Sequence, residues 1–155
     1  MQQTVDVVGA GLAGSECALQ LADRGVRVRL HEQRPVRMSP AHHTDRFAEL
    51  VCSNSLKSTK PETAAGVLKW ELDTMGCHLL SIARDCSVPA GGALAVDRDR
   101  FSSAVTEAVS SHPLVEVVHE EVTQIPDGPA VIAAGPLCSD ALFQAISKAV
   151  GEGSM

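Results

Sequence analysis

Aromatic side chains are scarce. Among 155 residues there are one Trp, three Phe and no Tyr, 3% of the chain, although 45% of it is hydrophobic. A core must then be built from Val, Leu, Ile and Ala, the composition of strands buried in a parallel sheet, and this favours an α/β architecture. Cysteines number five, at 17, 52, 77, 86 and 138. An odd number at irregular spacing, with no Cys-x-x-Cys pair, indicates neither a disulfide framework nor a zinc site and fits a reducing compartment. No charged-then-apolar leader precedes the first apolar run, and no stretch approaches about 18 uninterrupted apolar residues; a cytoplasmic protein without a membrane partner is expected. Internal repeats and low-complexity tracts are also lacking. Nothing after residue 150 offers a second core, and the closing GEGSM (residues 151–155) gives the look of a chain cut short. One domain over residues 1–155 is expected, a size that hides roughly two-thirds of its surface on folding.

Positive charge is in short supply beyond the first third. Residues 1–46 hold six Lys/Arg against five Asp/Glu, whereas residues 47–155 hold seven against fourteen, within a net charge of -6. This balance argues against wrapping of nucleic acid by the chain alone. Arginines 24, 27, 29, 34 and 37 could touch phosphate locally, but a solvated face is the favoured reading.

What is present is patterned. The apolar run TVDVV (4–8) reads as a strand, and GAGLAG follows it directly. Ala13, Cys17, Ala18, Leu21 and Ala22 then recur at helical spacing up to Gly25, and VRVRL (26–30) alternates as a second strand. Residues 31–58, rich in Pro, His, Ser, Thr and Asn, are expected to be mostly irregular, with one helical turn near RFAELV; long ordered loops are usually functional. A helix is expected from Pro61, with Thr59 and Glu62 as a capping box, Ala64, Leu68, Leu72 and Met75 on one stripe, and Trp70 in packing. DRDRFSSAVTEAVSS (97–111) reads as a helix, LVEVV (114–118) and EVTQI (121–125) as strands, PAVIAAG (129–135) as a buried strand, and SDALFQAISKAV (139–150) as a helix capped by Ser139. Residues 77–96 carry no clear pattern.

Gly9, Gly11 and Gly14 make a G-x-G-x-x-G turn between a strand and a helix, the context in which that spacing acquires meaning. The first glycine permits the turn, the second lets backbone approach a pyrophosphate, and the third allows close helix packing. Unpaired amides at the helix start, from Gly11, Leu12 and Ala13 onward, attract the anion. Glu32, 18 residues past Gly14 at the end of the second strand, sits where a carboxylate accepts hydrogen bonds from an adenosine ribose. Physical reasoning leaves FAD and NAD both open.

Longer segments carry a resemblance. VVGAGLAGSECALQLADRG, HEQRP, SPAHHTDRFAELVCSNSLKS, VPAGGALAVDRDRF and HPLVEVVHEEVTQIP together resemble the amino-terminal portion of the folate- and FAD-dependent tRNA (uracil-5-)-methyltransferase family, TrmFO, which is related to GidA/MnmG. The resemblance implies a Rossmann-like FAD-binding fold, here incomplete, with parallel sheet and flanking helices. It implies FAD contacts at Gly9, Ala10, Gly11, Leu12, Ala13, Gly14, Glu32, Arg34, Val122 and Gly135. VIAAG would return beside the first strand, and EEVTQI would pass near the adenine. The implied reaction passes the one-carbon unit of 5,10-methylenetetrahydrofolate through flavin to carbon 5 of a T-loop uridine of tRNA, with NAD(P)H as reductant. Two other readings stay open: a flavin-dependent protein acting on the wobble uridine of tRNA, and a non-catalytic truncated FAD-binding module.

Cys52 lies in the polar run LVCSNSL, close in sequence to His42, His43, Arg46 and Lys57, groups that stabilise a thiolate if they are also close in space. The resemblance makes Cys52 one of the family's two catalytic cysteines. A thiol of this kind adds to the pyrimidine so that carbon 5 becomes nucleophilic. The family's other cysteine lies in a region this chain does not contain, so turnover by these 155 residues alone is not expected. Cys17, Cys77, Cys86 and Cys138 are expected to be inert. The adjacent histidines suggest a metal, but neighbouring side chains rarely chelate one ion and no third ligand stands at the right spacing, so no metal is expected.

Overall fold

A computed structural model describes residues 3–151; residues 152–155, most of the GEGSM segment, lie outside the described residues. The elements are β1 (Thr4–Val8), α1 (Leu12–Asp23), β2 (Arg27–Glu32), β3 (Ser55–Ser58), α2 (Ala64–Thr74), α3 (His78–Asp85), β4 (Ser87–Val88), β5 (Ala93–Val96), α4 (Arg98–Ser110), β6 (Val115–His119), β7 (Ala130–Ile132) and α5 (Asp140–Val150). Four strands form a parallel sheet in the order β6-β2-β1-β7. β1 pairs with β2 from Thr4 opposite Arg27 to Val8 opposite His31. This is the expected β-α-β unit, and with helices flanking the sheet the fold is α/β and Rossmann-like. The last residues of β1 and β2 therefore end side by side, where ligands bind in open parallel sheets.

The core is aliphatic, as the shortage of aromatics requires. Val7, Val28 and Leu30 of the sheet, Ala18 and Leu19 of α1, Leu79, Leu80 and Ala83 of α3, and Phe101, Val105 and Val109 of α4 are all buried together. Phe47 and Ala48 join them from the long connection between β2 and β3. That connection is held by backbone: the Ala48 amide donates to the Ala10 carbonyl at 2.9 Å, and the Phe47 amide donates to the Thr106 hydroxyl at 2.8 Å. Ala48 adopts φ 50° to make this approach.

Several expectations are corrected. No helix forms near RFAELV, where Phe47 and Ala48 make only a turn; burial of the Phe47 ring against α4 fixes this segment instead. The second long helix starts at Ala64 rather than at Pro61. Its cap is Thr63, whose hydroxyl accepts from the Gly66 amide at 3.1 Å, while Thr59 donates to the Gly92 carbonyl. Only part of the stripe on α2 faces the core: Leu72 packs against it, but Leu68 is 53% exposed and Met75 64%, and Trp70 is 68% exposed rather than packed. Only Gly66 and Lys69 of α2 are buried. Residues 77–96 hold α3 and two strands, which make a second, antiparallel sheet in the order β3-β5-β4. EVTQI (121–125) is not a strand. β6 ends at His119, the Glu120 amide closes onto the Glu32 carbonyl, and among the described residues β6 is an edge with no further neighbour to pair. β7 is likewise an edge strand, and Val131 is 39% exposed rather than buried.

Candidate functional site

The groove opens at the carboxyl ends of β1, β2 and β7, with a volume of about 320 Å³, toward the small end of ligand sites. Its floor is the glycine turn. Gly9 leaves β1 at φ +100°, and a Cβ there would lie 2.7 Å from the Ala134 Cα, so both the backbone angle and the close pass of the chain after β7 require glycine. A Cβ on Gly14 would fall 1.8 Å from the Gly9 carbonyl oxygen. Gly14 thus lets α1 lie against the turn. Gly11 differs: a Cβ there meets nothing within 4 Å. Its surface is open, and it serves as the N-cap of α1 with φ -74°. The amides of Leu12 and Ala13 that follow lack partners within the helix, and α1 carries no acid in its first turn. The end of α1 is thus electropositive and accessible.

Glu32 forms the side wall. Its Oε2 accepts from the Ala10 amide at 2.9 Å, and its Oε1 accepts from the Arg34 amide at 3.1 Å and from Arg34 Nε at 2.8 Å. Burial pushes the Glu32 carboxyl up, but the hydrogen bonds and charge of Arg34, with the Ala10 amide, outweigh it and hold the group below its ordinary range. A carboxylate offers about four acceptor sites; three are used, and one remains for a ligand hydroxyl. Arg34, only 3% exposed, also reaches the Thr44 carbonyl at 3.1 Å and Glu49 Oε2 at 3.3 Å. Glu49 in turn accepts from the amides of His43 and Thr44 and from the Thr44 hydroxyl. One chain of bonds therefore runs from the glycine turn through Glu32 and Arg34 to the histidine-bearing loop.

His42 lines the groove with Nδ1 at the Ser39 hydroxyl; burial, then the Arg34 charge, holds its pKa below the ordinary value. Val51 lines the groove as well, and Cys52 beside it is exposed, with no hydrogen-bond partner among the described residues. Two of the groups near it in sequence are engaged elsewhere: Arg46 pairs with Asp99 at 2.8 Å, and His42 with Ser39.

Of the residues expected to hold a cofactor, Gly9, Gly11, Leu12, Ala13, Glu32, Arg34, Val122 and Gly135 line the groove. Ala10 and Gly14 lie behind it and shape it, Ala10 being fully buried. Sequence reasoning missed His31 and Cys138, which also line the groove, as does Glu120 of the EEVTQI segment. His31 is held between Glu120 Oε1 at 2.9 Å and Asp6 Oδ1 at 2.8 Å. Cys138, expected to be inert, is half-buried at the rim beside Ser139. The cap Ser139, whose hydroxyl accepts from the Leu142 amide, was the one signal in the sequence that a second helix start approaches this place. Among the described residues no three His, Cys, Asp or Glu side chains are grouped to hold a metal, and no helix is long and apolar enough to cross a membrane.

Comparison with known proteins agrees with this geometry. The curated Methylenetetrahydrofolate--tRNA-(uracil-5-)-methyltransferase TrmFO of Bacillus licheniformis is 59% identical over 152 residues, 98% of this chain and 35% of that protein. The protein of the same name from Lysinibacillus sphaericus is 61% identical over 150 residues, 97% of this chain and 34% of that one. The chain thus spans about a third of the length of these curated relatives. Among solved structures, the peptidyl tryptophan dihydroxylase QhpG superposes with a TM-score of 0.51 at 20% identity, covering 90% of this chain and 34% of that one; at that identity the likeness concerns the fold alone. A family model described as Glucose inhibited division protein A matches residues 4–149, and the chain, carrying that match over nearly all of its length, belongs to the glucose inhibited division protein A family.

Proposed function

We propose that the chain is the FAD-binding portion of a tRNA (uracil-5-)-methyltransferase that takes its one-carbon unit from 5,10-methylenetetrahydrofolate, with NAD(P)H as reductant and a T-loop uridine of tRNA as acceptor. The observation that carries this reading is the groove itself. It has an open Gly11 surface, unpaired amides of Leu12 and Ala13, and Glu32 with one acceptor site left, in a chain 59–61% identical to proteins that bear this name. A dinucleotide fits these groups. Its diphosphate would lie on the start of α1, where backbone donors and the helix dipole favour an anion. Its ribose would bond to Glu32. Val122 and Gly135 would border it.

Bound FAD would supply the carrier for the one-carbon unit. The chain's own contribution is to place Cys52, exposed next to Val51, where a thiolate can add to a pyrimidine carbon and make the adjoining carbon nucleophilic. His42, its pKa held down by burial, would border the ligand at the groove wall. The second cysteine of such a reaction would belong to the two-thirds of the relatives' length that this chain does not span.

The test has two stages. Purified chain incubated with FAD and freed of excess by gel filtration is expected to retain flavin absorbance; colourless protein would overturn the reading. The chain is then joined to the complementary portion of a relative and given hypomodified tRNA, methylenetetrahydrofolate and NADPH. Formation of 5-methyluridine, abolished by Cys52→Ala, is expected. Retained flavin without methyl transfer in the joined protein would select a binding module instead.

A further inference from the structure

A second concavity, of about 620 Å³, lies away from the glycine turn, between α2 and the end of α3, and is lined by Lys69, Trp70, Asp73 and Arg84 together with Thr59 and Pro61. Two independent features mark it. The first is a lysine without a counter-ion. Lys69 is only 9% exposed, and its ammonium donates to the carbonyls of Ser58 at 3.1 Å and Ala65 at 3.3 Å. An ammonium has three donors, so one is unused, and no carboxylate reaches it among the described residues. The acid in the same concavity, Asp73, is taken by both terminal nitrogens of Arg84. A buried charge left without an opposite charge is costly, and an anion entering the concavity would relieve that cost.

The second feature is Trp70, a large aromatic ring 68% exposed on the residue next to Lys69. An exposed aromatic ring and a cation lining one concavity are the pairing used to stack a base and hold the phosphate attached to it. Net negative charge over residues 47–155 excludes a long nucleic-acid track, but a single nucleotide needs only one such pair.

We propose that this concavity binds a nucleoside phosphate, with the base stacked on the Trp70 indole and the phosphate on Lys69 and Arg84. The ligand is either a free nucleotide or one nucleotide of a single RNA strand, the chemistry being the same. The site goes beyond the flavin reading and does not depend on it.

Trp70 is the only tryptophan in a chain without tyrosine, so intrinsic fluorescence excited in the indole band reads this place alone. The 155-residue chain is titrated at low salt with uridine 5′-monophosphate and, separately, with a short single-stranded oligouridylate. Saturable quenching is expected. Response to both ligands assigns the site to the nucleotide itself, and response to the oligomer alone assigns it to a strand. Lys69→Gln and Arg84→Gln are expected to weaken binding about tenfold each, the scale of a lost charge-assisted hydrogen bond. Because Lys69 is buried, its substitution is checked by an independent variant. Trp70→Leu changes an exposed side chain, and calorimetry with the oligomer is expected to show the heat of binding lost while the far-ultraviolet spectrum stays the same. Absence of quenching by either ligand would overturn the proposal, as would quenching of equal strength in Lys69→Gln, or emission that changes with protein concentration but not with nucleotide.

Discussion

Ala10 and Glu32 hold each other across the base of the groove: the Ala10 amide, in the middle of the glycine turn, donates to Glu32 Oε2 at 2.9 Å. The acid expected to meet the ribose is therefore also a structural brace, and the geometry of the diphosphate turn depends on a side chain 22 residues away. Both ends of this contact are buried, and a buried polar group that loses its partner costs about 1–3 kcal/mol.

Glu32→Gln keeps the shape of the side chain but removes its charge. Arg34 would then remain buried with only Glu49 as a counter-charge. Loss of one partner from a buried ion pair costs roughly 3–5 kcal/mol, so a destabilisation near the lower figure is expected, read from the urea midpoint. Flavin retention should fall in parallel. A variant as stable as the parent would show that the carboxylate does not brace the turn.

The three glycines separate into two kinds. Gly11→Ala adds a methyl group to open space, so the fold is expected to stay intact while flavin binding weakens roughly tenfold, the scale of one hydrogen bond to a charged group. Gly14→Ala instead drives a Cβ into the Gly9 carbonyl and is expected to cost about 2 kcal/mol or more with or without flavin, as overpacking does. Thermal melts with and without FAD distinguish the two; equal behaviour of the two variants would contradict the assignment.

Cysteine reactivity should follow exposure. Cys52 is exposed, Cys86 is buried, and burial pushes the Cys17 and Cys77 thiols up. Brief treatment with iodoacetamide followed by peptide mass spectrometry is expected to modify Cys52 first, in flavin-loaded protein as well. Labelling of Cys77 or Cys86 at the same rate would argue against a reactive role for Cys52.

Acid should destabilise the protein in two steps. His42 has a folded pKa below its ordinary 6.5, so the unfolded chain binds its proton first and stability begins to decline as pH falls through 6.5. Glu16, Glu32 and Glu49 have folded values below the ordinary 4.5. In each, burial acts upward and is outweighed by hydrogen bonds, from the Leu79 amide to Glu16, from Arg34 to Glu32 and from the His43 amide to Glu49. Their contribution is complete above 4.5 and is lost as pH falls through the folded values. Urea midpoints between pH 3 and 8 should show a shallow decline and then a steep one, and His42→Gln should remove only the first.

The elements legible in the sequence were those whose pattern is local. The strand TVDVV, the spacing of Gly9, Gly11 and Gly14, and the alternation in VRVRL each state their structure within a few residues. Glu32 drew attention in the sequence as an acid at the end of a strand, but not as the partner of Ala10 and Arg34, because that role is set by parallel pairing across 22 residues. Cys138 reaches the groove only through the return of β7 and Glu120 only through the end of β6, contacts that no local period encodes, whereas His31 stands in β2 beside Glu32. The stripe on α2 misled for the opposite reason. Its apolar spacing is helical, yet the side that packs is chosen by Gly66, where a Cβ would lie 1.8 Å from the Lys60 carbonyl oxygen, and this turns Leu68, Trp70 and Met75 outward. EVTQI has strand composition but no neighbouring strand to complete the pairing.

The Ala48 amide on the Ala10 carbonyl has a further effect. The same residue bonds to Glu32 through its amide and to the loop through its carbonyl, so a change that loosens the Phe47 anchor is transmitted to the glycine turn without touching it. The tip of the loop, between Met38 and His43, is tied to the same turn by a second route, from the His43 amide through Glu49, Arg34 and Glu32.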